Sequence, residues 1–406
     1  MLFAVVPVCA LGALASAPKT TGTQARGEKS AVVDASKYPN LQAAFDAVPK
    51  GGGLVKLPPG EFEISRPLVL TRDDTRVEGA GAATHLINLN EKGEPALIIR
   101  PADRARDKRA YIWRVQLADF RISGNPKSGD GLLAEGVNEI YVHGLAIDHN
   151  DGHGISLNDC LEDARIADSI MTYNGGSGLN LVGCHDIVVS SNQFEENLDA
   201  VRCIDSFNLC MNGNNVDDHL RHGVVIENTY GSVVCGNMIE ECSGTAVILD
   251  RDCYGITISA NVIAHEGGSG VEIRDGWGCA VSANTFVLVN NWSVVIGPDS
   301  GRITVSANNF TNSHIGGKTK RPSEGAKAKM SADLAMGVLL DGTSDITVSG
   351  NVFSGMAEEA IKAQGDCKRI VITGNVVTDW SRSSPGKFPP LNLGRAGAIV
   401  ENNKTE

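Results

Sequence analysis

The chain of 406 residues is 42% hydrophobic but only 5% aromatic, holds 46 glycines, and has a formal net charge of −12. That length suffices for a large buried core, while the acidic balance argues against a nucleic-acid or anionic-membrane partner. Short β-branched runs separated by Gly, Asn, Asp and Ser recur from end to end, so an all-β fold is expected.

In chain order, residues 1–17 (MLFAVVPVCALGALASA) form an apolar stretch ending in Ala-Ser-Ala. The stretch is too short to span a bilayer and fits a signal peptide, which predicts a secreted protein, extracellular or periplasmic. Residues 18–30 have the composition of a disordered leader. A single domain is expected over 31–406, opening with an N-terminal cap at 31–53 whose helix begins after Asn40 as N-cap.

From residue 117 onward the chain repeats itself. Asp168, Asn192, Asn214, Asn237, Asn261, Asn284, Asn308, Asn351 and Asn375 recur at steps of 22–24 residues, apart from one step of 43. Two residues after each stands an apolar residue, from Ile170 and Phe194 to Phe353 and Val377. About nine after each comes a small residue opening an alternating run: Gly131, Gly154, Gly178, Ala200, Gly223, Ala246, Gly270, Ser293, Gly337 and Ala360. Three short strands per period cannot bury a face alone, but stacked periods form three parallel sheets around a narrow core. The prediction is a right-handed parallel β-helix of about ten coils, with Asn in a tight left-handed turn and its amide bonded to the Asn one rung away. A further column (Cys160, Cys184, Ser206, Thr229, Cys253, Gly276, Ser300, Thr343, Cys367) accounts for four of the ten cysteines as stacked small residues. Cys160 and Cys184 are also spaced for a bridge, and both alternatives stand. No zinc-type spacing occurs, so no metal ligand is assigned. The long step holds an inserted basic loop at 318–335, and a C-terminal cap is expected over 380–406.

Residues 38–81 (YPNLQAAFDAVPKGGGLVKLPPGEFEISRPLVLTRDDTRVEGAG) resemble the N-terminal cap and first coils of the pectin-lyase-like right-handed β-helix superfamily, and the repeats from 117 to 377 resemble its coils. The resemblance implies a carbohydrate-active protein: polygalacturonases, lyases, epimerases and phage tailspikes share this fold. "GHGISL" at 152–157 is similar to a polygalacturonase motif, but "LDAVRC" at 198–203 comes two coils after it instead of one before, so no catalytic assignment transfers.

Alternation along the strands that follow the small residues places a row of side chains outward. On this face Glu227, Asp250, Glu272, Asp199 and His222 are the candidate catalytic residues: Glu227 and Asp250, one coil and about 4.8 Å apart, are near the spacing of a retaining glycosidase pair, and Glu227 and Glu272, two coils apart, are nearer that of an inverting pair. Two such like charges should leave one acid protonated. Candidate substrate contacts are His153, Asp151, Tyr173, Asn180, Arg202, Arg274, Trp292 and Lys362, with Trp277 and Trp292 available to stack on sugars. Flanking loops add Asp148, His149, Glu195, Glu196, Asp217, Asp218, His219 and Arg221. No cofactor is required, although a lyase would use Ca²⁺ held by carboxylates. The expected partner is an extracellular polysaccharide or oligosaccharide, cleaved by hydrolysis or β-elimination, with no membrane span and no preference for an oligomeric state. The competing function is a non-catalytic glycan-binding or surface structural β-helix.

Overall fold

The structure, a computed structural model, describes residues 31–312 and 335–406. The expected signal peptide, the leader and nearly all of the inserted loop lie outside those residues. A representative coil runs through Ile187–Ser190 in the first sheet, Gln193–Glu195 in the second and Asp199–Ile204 in the third. Stacked coils build sheets of 17, 14 and 13 strands, with parallel ladders from coil to coil. The three-sheet solenoid is therefore as expected, but the count of about ten coils is too low. The early coils carry no Asn column and have long turns such as Pro101–Tyr111, so a search keyed to Asn cannot see them.

At the N-terminal end, Asn40 accepts a hydrogen bond from the Ala43 amide and starts a helix of six residues, Leu41–Asp46. That helix does not stand first. Strand Ala31–Asp34 precedes it and pairs in parallel with Gly53–Lys56, so the first sheet begins before the helix. None of the described helices is long and apolar enough to cross a membrane.

Buried asparagines stitch successive coils together. The Asn214 side-chain oxygen accepts from both the backbone N–H and the Nδ2 of Asn192, each at 3.0 Å, and Asn192 Nδ2 also donates to the Ile166 carbonyl at 3.0 Å. The pattern continues through Asn237, Asn261, Asn284, Asn308, Asn351 and Asn375 to Asn403. Two details differ from expectation. The left-handed residue is the one before the Asn, for example Ser191 (φ 58), Ala260 (φ 55) and Ala307 (φ 56). The rung assigned to Asp168 belongs to Ser169, whose N–H donates to Asn192 Oδ1 at 3.1 Å. Asp168 itself takes the left-handed position (φ 50), so the core residue of that coil is Met171 and Ile170 points outward.

The small-residue column follows the strand register. A Cβ added at Gly154 would come within 2.7 Å of the Gly178 carbonyl, and one at Gly178 within 2.8 Å of the Phe194 ring. Inside, Phe286, Phe310 and Phe353 stack with centroids 4.9 and 4.4 Å apart. All nine described cysteines are free thiols, so Cys160 and Cys184 are unbridged members of their column.

Asn237→Ala should destabilise the protein by about 2–4 kcal/mol, because it strands the buried Asn214 N–H and removes the donor to Asn261. Denaturant unfolding checks this against Asn309→Ala at an exposed strand position, expected to cost less than about 1 kcal/mol.

Candidate functional site

The third-sheet face has the register predicted for it. Ser156, Asn180, Arg202, Val225, Ile248 and Glu272 form one row, and Glu227 and Asp250 are direct neighbours in the next. Its chemistry is not the predicted chemistry. Glu227 accepts from Arg202 Nη2 at 3.2 Å and from Arg251 Nε at 2.6 Å. Glu272 accepts from Arg274 at 2.9 and 2.7 Å and from the Thr245 hydroxyl at 2.9 Å. Arg274 also lies 3.8 Å from Asp250. Arginines thus separate carboxylates that were expected to repel each other. Although burial opposes it, the bonds from Arg274 and Thr245 hold Glu272 below the usual glutamate range, contrary to a protonated acid.

Asp199 is fully buried and clamped by Arg221, whose Nε donates to it at 2.8 Å, while the His222 N–H donates at 3.1 Å. It is a structural anchor, and Arg221, expected only as a flanking-loop residue, is its partner. His222 Nδ1 accepts from the Thr245 N–H at 3.0 Å, and His153 Nδ1 from the Ser177 N–H at 2.9 Å. Burial pushes both rings toward neutrality. A neutral imidazole whose Nδ1 accepts carries its proton on Nε2, so each ring offers the groove a donor and no base. His153 is fixed further by its N–H bond to Asp130 at 2.7 Å.

Other substrate contacts move too. Asn180 is buried against Ser156 Oγ at 3.2 Å, and Trp292 is buried, so neither is available to a ligand. Trp277 is half-buried beneath the Arg302 guanidinium, 5.7 Å from its ring centroid. Lys362 lies in register with Leu339 and Asn392, three coils beyond Glu272.

A different surface gathers unneutralised acid. On three successive coils the second-sheet strand ends in an acidic pair at the same offset from the Asn: Glu195–Glu196, Asp217–Asp218 and Glu240–Glu241. Among the described residues no Lys or Arg forms a salt bridge with any of the six; only His265 approaches, at 3.9 Å from Glu240 and 3.7 Å from Glu241. Burial first, then Glu240, Asp218, Glu241 and Glu195, push Asp217 up to about 6. Burial and Asp218 raise Glu241 as well. Asp217, Asp218 and Glu241 bring carboxylate oxygens within 4.8 Å of one another, close enough to gather round a cation or to share protons.

The cluster continues along the axis into a cleft of about 570 Å³ lined by Asn125, Pro126, Asp148, His149, Asp151 and Tyr173. Exposed Tyr173 stacks on His149 at 5.2 Å, and the charges of Glu196 and Glu195 raise its phenol. Tyr173 and Asp151 are thus placed together, but on this corner and not over the third sheet. The thrice-repeated pattern Asn-x-apolar-acid-acid was the available signal for the cluster.

Fold and surface define a right-handed parallel β-helix with an acidic corner cleft. The chain matches the family described as "Right handed beta helix region" over residues 112–261 and 222–405, more than half its length, and belongs to that family. No curated protein matches it. Among solved structures, it is similar to the pre-mature bacteriophage phi29 gene product 12 (TM-score 0.70, 13% identity, covering 92% of this chain and 55% of that one). It is also similar to DFA-IIIase from Arthrobacter chlorophenolicus A6 in complex with GF2 (0.59, 14%, 78% and 94%) and to the Azotobacter vinelandii mannuronan C-5 epimerase AlgE4 A-module (0.52, 15%, 93% and 100%). The chain spans 61% of Geobacillus virus E2 ORF18, another protein of this shape. The expected place in the pectin-lyase-like superfamily is borne out.

Two outcomes follow. Arg221→Ala leaves the Asp199 charge buried and unpaired and should cost about 3–5 kcal/mol in denaturant unfolding. Asp217 is raised in the fold, so its contribution to stability is full below pH 3.8 and is lost as pH rises toward about 6. Asp217→Asn should remove that loss, read as a smaller fall in melting temperature from pH 4 to pH 6 (~ values bracketing the shift).

Proposed function

We propose that this protein binds an extended, uncharged polysaccharide along the acidic corner and hydrolyses a glycosidic bond there. The observation that carries this reading is the threefold acidic pair, which no Lys or Arg among the described residues neutralises, continuous with the Tyr173–His149 pair. Glycoside hydrolysis needs one protonated and one ionised carboxyl. Asp217, raised to about 6, is the acid. Glu195 and Glu240 flank it one coil away on either side, about 4.8 Å in backbone spacing, and are placed to serve as the partner carboxylate. Tyr173 and His149 offer ring surface to a sugar, and Asp151 a hydrogen-bond acceptor.

The same electrostatics argue against β-elimination of a uronate. A polyanion approaching six carboxylates would be repelled, and among the described residues no Lys or Arg forms a salt bridge with them that could be redirected to the substrate carboxylate. The neutral His222 and His153 present Nε2–H, so they cannot abstract a proton. Names of the structural neighbours support a carbohydrate ligand: one is an epimerase of mannuronan, another was crystallised with GF2. The apolar leader supports action outside the cell.

A panel of neutral and uronate polysaccharides tests the proposal. New saturated reducing ends from a neutral glycan are expected, with a rate that falls as pH rises through about 6, because the acid must hold its proton. Asp217→Asn should lower kcat by at least about 100-fold while Glu272→Gln lowers it far less. An unsaturated, ultraviolet-absorbing product abolished by a chelator would instead assign the cluster to Ca²⁺ and a lyase. Binding without turnover would make the protein a glycan-binding module.

A further inference from the structure

Directly inside the acidic corner runs a second column. The residue after each left-handed corner residue points into the core: Asn150, Asn174 and Asn197, then His219, Cys242 and Glu266, then Val289. The three asparagines repeat the ladder bonding, with Asn150 Nδ2 donating to Asn174 Oδ1 at 2.9 Å and Asn174 Nδ2 to Asn197 Oδ1 at 2.8 Å. Glu266 has no such solution. It is fully buried, and neither carboxyl oxygen has a hydrogen-bond partner. An ionised carboxylate so placed would cost several kcal/mol, so the folded coil holds it neutral.

The charged groups nearest Glu266 make ionisation harder. Cys242, Glu240 and Glu241 all belong to the preceding coil, and the two glutamates add like charge. On the following coil the same position is apolar Val289. His265, next to it in sequence, turns outward toward Glu240 and Glu241. Burial, joined by the charges of Glu240 and Glu241, pushes Glu266 well above the glutamate range although Cys242 pulls the other way, and Glu266 in turn adds to the rise of the Cys242 thiol.

We infer that Glu266 is a pH-sensitive latch: the coil behind the acidic corner is closed only while this buried carboxyl keeps its proton, and alkalinisation opens it. The sign follows from linkage. Below the ordinary glutamate value of 4.5 the carboxyl is neutral whether the coil is open or closed. Above it the open form releases a proton and the closed form does not, so opening becomes more favourable by up to tenfold per pH unit until the folded value is reached. The inference does not depend on the corner being catalytic.

Amide hydrogen exchange on the full chain reads the latch locally. Gly267 N–H donates to the Cys242 carbonyl at 2.8 Å and Asn290 N–H to the Glu266 carbonyl at 3.0 Å. After correction for intrinsic exchange, the opening equilibrium at these two amides should rise by up to about 100-fold from about pH 6 to 8 relative to Glu266→Gln, which keeps the shape but cannot ionise. Glu266→Leu, matching the apolar Val289 of the next coil, should be equally flat. Parallel pH profiles in wild type and variants overturn the latch. Should neither variant fold, the wild type alone decides. An infrared band of a protonated carboxylic acid that persists at neutral pH, and vanishes on alkalinisation together with protection at Gly267, supports the inference, and exchange unaffected by loss of that band overturns it.

Discussion

A parallel strand satisfies its backbone only against a neighbour on each side, so a solenoid of short strands exists only if each coil hands its hydrogen bonds to the next at a fixed rise of about 4.8 Å. The turn between first and second sheets is where that hand-over is most exposed to failure, because the chain bends there inside the core. The Asn column meets the requirement with one side chain per coil: an oxygen that accepts twice and an amide that donates both up the ladder and to the main chain. Register in all three sheets follows from it, and with register the position of every outward side chain.

Translational stacking has an electrostatic consequence. Residues of like charge in one column are forced close together whatever their solvation, and the fold must neutralise them or leave them to find protons. The third-sheet face takes the first course. Arg202, Arg251 and Arg274 interleave with Glu227, Asp250 and Glu272, leaving a network whose bonds are internally satisfied. The second-sheet corner takes the other course, and its six carboxylates remain without a basic partner among the described residues. Carboxylate spacing is the same on both surfaces. Only the second holds an acid in the range where proton transfer at neutral pH is practical.

This contrast explains what was legible in the sequence. Columns are a property of spacing, so the small-residue ladder from Gly131 to Ala360 and the outward rows on the third sheet could be read from the letters alone. One slip, Asp168 for Ser169, came from treating Asp as an Asn equivalent; the hydroxyl of Ser169 takes the turn's bonding, and Asp suits the left-handed position beside it. Ion pairing is not a property of spacing. Arg251 reaches back one coil to Glu227, and Arg221 reaches back to Asp199, through side-chain conformations that no periodicity reveals. Glu227, Glu272 and Asp199 therefore have partners that the letters hide, while the three Asn-x-apolar-acid-acid pairs have no Lys or Arg partner among the described residues.

The corner also shows how a repeat fold can place unlike environments one residue apart. Glu241 and Cys242, or His265 and Glu266, are sequence neighbours, yet a left-handed residue between strand and turn sends the first outward and the second into the core. Outside, partial burial and then neighbouring carboxylates raise Asp217 and Glu241; inside, Glu266 is raised above all by the loss of water. The two populations act on each other, since Glu240 and Glu241 are among the groups that keep Glu266 protonated. Charge on the surface and protonation in the core are therefore coupled through a single coil. A cation or a substrate that shielded the corner would ease ionisation beneath it, whereas an empty, fully ionised corner would hold the core carboxyl in its neutral form.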